Sequence, residues 1–200
     1  PELVIELASA YIEGMNEAGM AATGKHFPGH GNVVEDSHVE IPVDKRSFTT
    51  IEKLDLLPFA KLANKLSAIM PAHVIYEDVD SLPAGFSKKW LQEILRQKLK
   101  FQGAIISDDL SMHGASVIGN YLERAEKASA AGCDLLLLCN NRAMVKEVID
   151  KIPPISKISR QRLFKLCGHF GYTYAELKNL KQVREARELL QIVNQSEQLC

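Results

Sequence analysis

Side chains that can transfer protons are concentrated between residues 25 and 38. The sequence reads KHFPGHG at 25–31 and DSH at 36–38, which brings three imidazoles, an ammonium group and a carboxylate together. Glycine and proline punctuate this segment, as they do in loops of fixed geometry. Imidazole titrates near neutral pH, with an ordinary pKa of about 6.5. The residue types therefore predict a catalytic loop.

Asp36 and His38 form the clearest candidate pair within this loop. They alternate about Ser37, so in an extended segment both side chains face the same way. A carboxylate beside an imidazole orients the ring and stabilises its charged form. The spacing predicts a proton-transfer pair, and the alternative is a solvated loop with incidental titratable residues.

A second candidate is the pair of carboxylates Asp108 and Asp109, which follows the apolar run at 103–106. One explanation is a helix cap, which Ser107 or either aspartate could supply. A helix cap requires only one such side chain, so the second carboxylate is available for another role. The pattern therefore predicts that at least one of them is catalytic.

The elements that must position these groups alternate along the chain. Apolar, strand-like stretches ending in polar residues are found at 21–26, 66–73, 103–109 and 132–140. Helical spacing of apolar residues occurs at 2–20, 50–65, 87–100, 121–131 and 144–151. Short strands separated by crossover helices predict a parallel α/β sheet, with its site at the carboxyl ends of the strands. A closed barrel needs eight such units, and four are visible, which leaves a half-barrel, a doubly wound sheet or a piece of a longer protein.

Composition narrows the functional classes. The 200 residues carry a formal net charge of −1, which argues against nucleic acid or an anionic membrane surface as a partner. Small neutral substrates fit better. The cysteines are widely spaced and suggest reduced thiols, as in a cytoplasmic protein. We found no apolar run long enough to span a bilayer and no signal peptide, although the sequence begins with Pro1 rather than Met.

The sequence alone leaves open the role of His73 and whether the histidines bind a metal ion. His73 is either a packed histidine that donates to a backbone carbonyl or a functional side chain. A metal-dependent hydrolase is an alternative function because several donors could surround one ion. Those donors are His26, His30, Asp36, His38 and His73.

Four motifs together resemble the bacterial β-N-acetylglucosaminidases of glycoside hydrolase family 3. They are KHFPGHG at 25–31, DSH at 36–38, MPAHV at 70–74 and SDDLSM at 107–112. They occur in the family's order, and the resemblance runs from about Ala22 to Asn141. The resemblance implies a TIM barrel, of which residues 1–152 would be the C-terminal half, with a helical appendage over 153–200.

The resemblance also implies a role for individual residues. Asp108 corresponds to the nucleophile that forms a covalent glycosyl-enzyme. His38 corresponds to the general acid/base, with Asp36 as its partner. Lys25 and His26 correspond to residues that hydrogen-bond sugar hydroxyls. We expect Asp109 to support the same strand end.

The implied substrate is a terminal β-linked N-acetylglucosamine on a muropeptide, in the cytoplasm, with no cofactor and no metal. The loop from Gly29 to His38 is expected to close over the sugar. Upstream residues that grip the sugar in the family have no counterpart here. A half-barrel leaves two unpaired strand edges, which favours self-association or binding of the missing half. The remaining alternative is a catalytically silent fragment that binds cell-wall sugars or a partner.

Overall fold

The computed structural model describes residues 1–37, 39–169 and 171–197, with side chains described as far as residue 194. The chain divides into two compact units, Pro1–Gly168 and His169–Cys200. The strands are β1 (Thr23–Phe27), β2 (Val43–Asp44), β3 (Ala68–Pro71), β4 (Ile75–Tyr76), β5 (Ala104–Asp109) and β6 (Leu135–Leu137). The α-helices are α1 (Glu2–Glu17), α2 (Phe48–Lys53), α3 (Leu56–Leu62), α4 (Tyr121–Ala131), α5 (Arg142–Ile149), α6 (Lys157–Phe164), α7 (Tyr174–Asn179) and α8 (Lys181–Glu197). A π-helix spans Lys89–Lys98, and 3₁₀-helices span Ala84–Phe86 and His113–Ile118.

A four-stranded parallel sheet forms the centre of the first unit. Its strand order is β1-β3-β5-β6, and neighbouring strands run parallel throughout. Helical segments connect consecutive strands of this sheet, which confirms the predicted alternation of strand and helix. This is the arrangement of part of a (β/α)₈ barrel wall. The carboxyl ends of all four strands therefore meet at one edge.

A smaller parallel sheet of β2 and β4 was not predicted from the sequence. Val43 pairs with Ile75, and Asp44 pairs with Tyr76. Each strand has only two residues, which is too short to produce a periodic pattern. This pairing brings the chain that follows the predicted catalytic loop back to the end of β3.

The core beneath the sheet is built around Trp90, which is fully buried. Its ring meets those of Phe27 and Tyr76 edge to face, with centroids 5.8 and 5.1 Å apart. Such pairs stabilise a core by more than the area they bury, by about 0.5–1.5 kcal/mol each. The end of β1 and the small sheet thus rest on one aromatic cluster.

The helix expected over 50–65 is two helices, because the chain breaks at Leu54 and Asp55 between α2 and α3. The first compact unit extends past residue 152, where the sequence places the end of the barrel half, to Gly168. Arg162 of α6 contributes to this packing, because its guanidinium donates to the buried carboxylate of Asp134 at 3.3 Å. The domain assignment itself remains a prediction.

The second unit contains α7 and α8. Thr173 begins α7 with a capping box, in which its side chain accepts from the Glu176 N–H and the Glu176 carboxylate accepts from the Thr173 N–H. Apolar side chains of α8 are exposed, among them Leu189, Leu190, Ile192 and Val193. None of the helices in the described part of the chain is long and apolar enough to cross a membrane.

Candidate active site

Asp108 lies at the carboxyl end of β5, where the parallel sheet predicts a site. Its side chain is 14% exposed, and its Oδ2 lies 3.7 Å from Nε2 of His26 at the end of β1. The backbone N–H of Asp109 donates to Oδ1 of Asp108 at 2.8 Å. The carboxylate is therefore oriented by the backbone on one oxygen and faces an imidazole with the other. His26 is 32% exposed, so the space between them is accessible.

The adjacent carboxylate, Asp109, is committed to holding the turn after β5. It accepts the N–H and the hydroxyl of Ser111 at 2.9 and 2.7 Å, and the N–H of Cys139 at 3.0 Å. Burial alone would raise the pKa of Asp109, but these hydrogen bonds outweigh it and hold the pKa below its usual value. This is the supporting role expected for Asp109.

His73 is a packed histidine, one of the two possibilities the sequence left open. It is 1% exposed and is the second residue after β3. Its Nε2 donates to the carbonyl oxygen of Asp109 at 3.1 Å. Burial lowers the pKa of His73, although the carboxylates of Asp108 and Asp109 act in the opposite direction. Burial therefore favours the uncharged form of the ring.

The segment carrying Asp36 is a turn. The Asp36 carbonyl accepts the N–H groups of Val39 and Glu40 at 3.0 and 2.9 Å. Asp36 therefore begins a turn rather than continuing a strand. His38 lies outside the described residues, and its pairing with Asp36 stays a prediction.

Both ends of the loop after β1 are anchored by residues that the sequence analysis missed. At the start, the buried Tyr76 donates its hydroxyl to the Gly29 carbonyl at 2.6 Å. At the far end, Arg46 binds the buried carboxylate of Asp44 at 2.6 Å and that of Asp55 at 2.7 Å. Burial alone would raise the pKa of Asp44, but the bonds from Arg46 hold it below its usual value. The DKR run at 44–46 could have indicated the pair of Asp44 and Arg46, because oppositely charged side chains two residues apart in a turn can contact each other.

Lys25 and His26 lie at the end of β1 but in different surroundings. His26 faces Asp108, and its ring centroid is 6.2 Å from that of His30. Lys25 is exposed and lines a cleft of about 940 Å³. This cleft lies between α1, β1 and α3, beside the unpaired edge of β1, and most of its lining is apolar.

The metal alternative receives no support from the residues that the structure describes. Among them, no group of three or more His, Cys, Asp or Glu side chains is arranged to hold an ion. His73 also donates Nε2 to a backbone carbonyl, so that nitrogen has no lone pair to offer a metal.

Asp108 and His26 lie at the carboxyl ends of parallel strands, which is where (β/α)₈ enzymes place their catalytic residues. A family model for the glycosyl hydrolase family 3 N-terminal domain matches residues 1–164. The chain belongs to glycosyl hydrolase family 3.

Curated relatives and solved structures agree with this assignment. The chain is 60% identical over 161 residues to a β-hexosaminidase of Tolumonas auensis, covering 78% of this chain and 48% of the relative. It is 57% identical over 167 residues to a β-hexosaminidase of Pseudomonas aeruginosa, covering 81% and 50%. The crystal structure of NagZ from Neisseria gonorrhoeae in complex with N-trifluoroacetyl-D-glucosamine is similar with a TM-score of 0.86 and 40% identity, covering 94% of this chain and 56% of that one. The chain thus spans about half the length of the curated relatives it matches.

Proposed function

We propose that this chain supplies the nucleophile-bearing half of a retaining β-N-acetylglucosaminidase. The observation that carries the proposal is Asp108, a partly exposed carboxylate fixed at a strand end, with His26 at 3.7 Å. A nucleophile of this kind must be accessible and held in one orientation. The names of the relatives, β-hexosaminidase and NagZ, support the same activity.

In the proposed reaction, an oxygen of Asp108 attacks the anomeric carbon as the bond to the leaving oxygen breaks. His38, assisted by Asp36, gives its proton to that oxygen. It then takes a proton from the water that attacks the anomeric carbon and releases Asp108. Lys25 and His26 bind sugar hydroxyls. The accessible space between His26 and Asp108 is where we place the sugar.

The substrate we propose is a terminal β-linked N-acetylglucosamine on a muropeptide, hydrolysed in the cytoplasm during cell-wall recycling. The resemblance in motifs supports this finer assignment. The near-neutral charge of the chain is compatible with it, since a neutral sugar needs no basic groove.

We propose that the missing strands of the barrel must be present for full activity. In the described part of the chain, β1 and β6 are the edge strands of the sheet. The β1 edge adjoins the apolar cleft. Unpaired edges of this kind favour self-association of the isolated chain, which sedimentation velocity over a range of concentrations would measure.

The activity is tested by completing the barrel. Residues 1–164 replace the matching half of the Tolumonas auensis relative, and release of aryl alcohol from an aryl β-N-acetylglucosaminide is followed with and without a chelator. We expect turnover that survives chelation. A folded hybrid without turnover would favour the catalytically silent alternative, and turnover lost on chelation would favour a metal-dependent hydrolase.

The proposed muropeptide substrate is tested separately. The same hybrid is given a muropeptide carrying a terminal β-linked N-acetylglucosamine, and the released sugar is quantified. Release at a rate comparable with that from the aryl substrate supports a role in cell-wall recycling. Hydrolysis of the aryl substrate alone would contradict it.

A further inference from the structure

His73 is the most deeply buried ionisable group near Asp108 among the residues described, and the proposed chemistry does not use it. It is 1% exposed, and its ring stacks on Phe86 with centroids 5.3 Å apart and planes 9° from parallel. A stacked, buried ring has one available orientation. Whatever His73 binds is therefore fixed in position relative to β3.

The hydrogen bond to Asp109 determines where the proton of His73 lies. A carbonyl oxygen only accepts, so Nε2 carries the hydrogen. The other nitrogen, Nδ1, is buried and has no hydrogen-bond partner among the described residues. It lies 3.8 Å from the point where a Cβ on Gly85 would be. A proton on Nδ1 would be a buried donor without an acceptor, so this surrounding favours the neutral Nε2–H form.

The segments that follow the two strands beside β5 hold Asp109. From the β6 side, the Cys139 N–H donates to its carboxylate at 3.0 Å. From the β3 side, His73 donates to its carbonyl at 3.1 Å. The carbonyl also accepts the Met112 N–H at 3.1 Å, but that bond comes from within the same turn. His73 thus links the turn to the segment that follows β3.

Asp109 in turn orients Asp108, the proposed nucleophile. The N–H of Asp109 donates to Oδ1 of Asp108 at 2.8 Å. We propose that His73 is a positioning residue, which fixes the Asp108 carboxylate for attack through the backbone of Asp109. The catalytic consequence rests on the proposed glycosidase function, whereas the positioning of the backbone does not.

Geometry explains why this link matters for rate. A displacement of about 1 Å in a reacting group can cost about a hundredfold in rate. If His73 no longer donates, the Asp109 carbonyl keeps, among the described residues, just its bond from Met112 within the turn, and the turn can shift relative to β3. Asp108 would then sample orientations in which neither oxygen faces the sugar.

Two variants separate hydrogen bonding from packing. In His73→Gln the amide nitrogen reaches about as far as Nε2 and can donate to the Asp109 carbonyl. In His73→Asn the amide is one methylene shorter and falls short of it. His113→Gln is the matched control, because His113 is exposed.

The first readout is amide hydrogen exchange of the whole chain, measured by NMR, and it does not require activity. We expect protection of the Asp109 amide to fall at least about tenfold in His73→Asn and to be retained in His73→Gln. The Ile105 amide, bound to the Asp134 carboxylate at 2.9 Å at the other end of β5, serves as the internal reference. Its protection should stay the same in all variants.

The second readout is kinetic, in the hybrid enzyme that tests the proposed function. We expect kcat to fall about tenfold to a hundredfold in His73→Asn with KM nearly unchanged, and His73→Gln to restore most of it. Equal behaviour of the two variants in hydrogen exchange, or a parallel loss of protection at Ile105, would overturn the positioning role. An inactive hybrid with unmodified His73 would instead count against the proposed function, and the exchange result would still stand.

Discussion

The turn after β5 and the loop after β1 hold their proposed catalytic groups in contrasting ways. In the turn, Asp108 is followed directly by a residue bonded to the segments that follow both neighbouring strands. In the loop, the ends are anchored at Gly29 and Asp44, and the Ser37 carbonyl accepts the Gly114 N–H at 2.9 Å, but several side chains between these points are exposed, with Val34 at 97%.

The difference matches the tasks that we propose for the two groups. A nucleophile benefits from being fixed before the substrate arrives, because the protein then spends no binding energy on ordering it. An acid/base on a loop with many exposed side chains can adjust to the sugar and its leaving group. Closure of the loop over the sugar stays a prediction.

The largest effect expected concerns the nucleophile. Asp108→Asn in the hybrid enzyme should lower kcat at least about a thousandfold, because the amide cannot form the glycosyl-enzyme. Hydrolysis of the aryl substrate measures this. Asp150→Asn, which alters an exposed carboxylate at the end of α5, should have no effect. Substantial residual turnover in Asp108→Asn would show that another residue is the nucleophile.

The next largest effect expected is a loss of stability when Arg46, which anchors the far end of the loop, is replaced. Arg46→Met leaves the Asp44 carboxylate, which is 1% exposed, buried without its cation. Breaking a buried pair in this way costs about 3–5 kcal/mol in the free energy of unfolding. Urea denaturation measures the loss. The neighbouring exposed Lys45→Met is the control, and equal costs for the two variants would refute the anchor.

At the near anchor, two glycines of the same loop should respond differently to alanine. A Cβ on Gly29 would lie 2.4 Å from Cβ of Asp55, and the residue has φ of +142°. Gly31 has nothing within 4 Å of that point. Gly29→Ala should therefore cost about 1–3 kcal/mol or more, whereas Gly31→Ala should stay within about 0.5 kcal/mol. Similar denaturation midpoints would show that the near end is not held tightly.

The smallest effect expected is on acid stability. The pKa of Asp44 is lower in the folded chain than its ordinary value of about 4, so this group stabilises the fold above that value. The contribution is lost as the pH falls through the folded pKa. Between pH 5 and 2, the unfolding free energy of the unmodified chain should therefore fall more steeply than that of Asp44→Asn. Parallel curves would contradict the lowered pKa.

The sequence predicted the framework of the site better than its details. The four main strands and their polar ends were predicted because each pattern is local. The contacts that hold the site are not local. His73 meets Asp109 across 36 residues, and Tyr76 meets Gly29 across 47. The spacing of residues along the sequence indicates neither of these contacts.

Other features escaped prediction for different physical reasons. The strands of the small sheet are too short to be periodic. The turn at Asp36 depends on two backbone hydrogen bonds that any side chain allows. The role of Asp109 was predictable in part, since a second adjacent carboxylate suggested a structural use.

The most direct test of the central claim is to identify the atom that attacks the sugar. The hybrid enzyme is incubated with a 5-fluoro N-acetylglucosaminyl fluoride, which slows release of a covalent intermediate, and the labelled peptide is mapped by mass spectrometry. We predict one sugar per chain, attached to Asp108. A label on any other residue, or turnover that never yields a covalent species, would contradict the account.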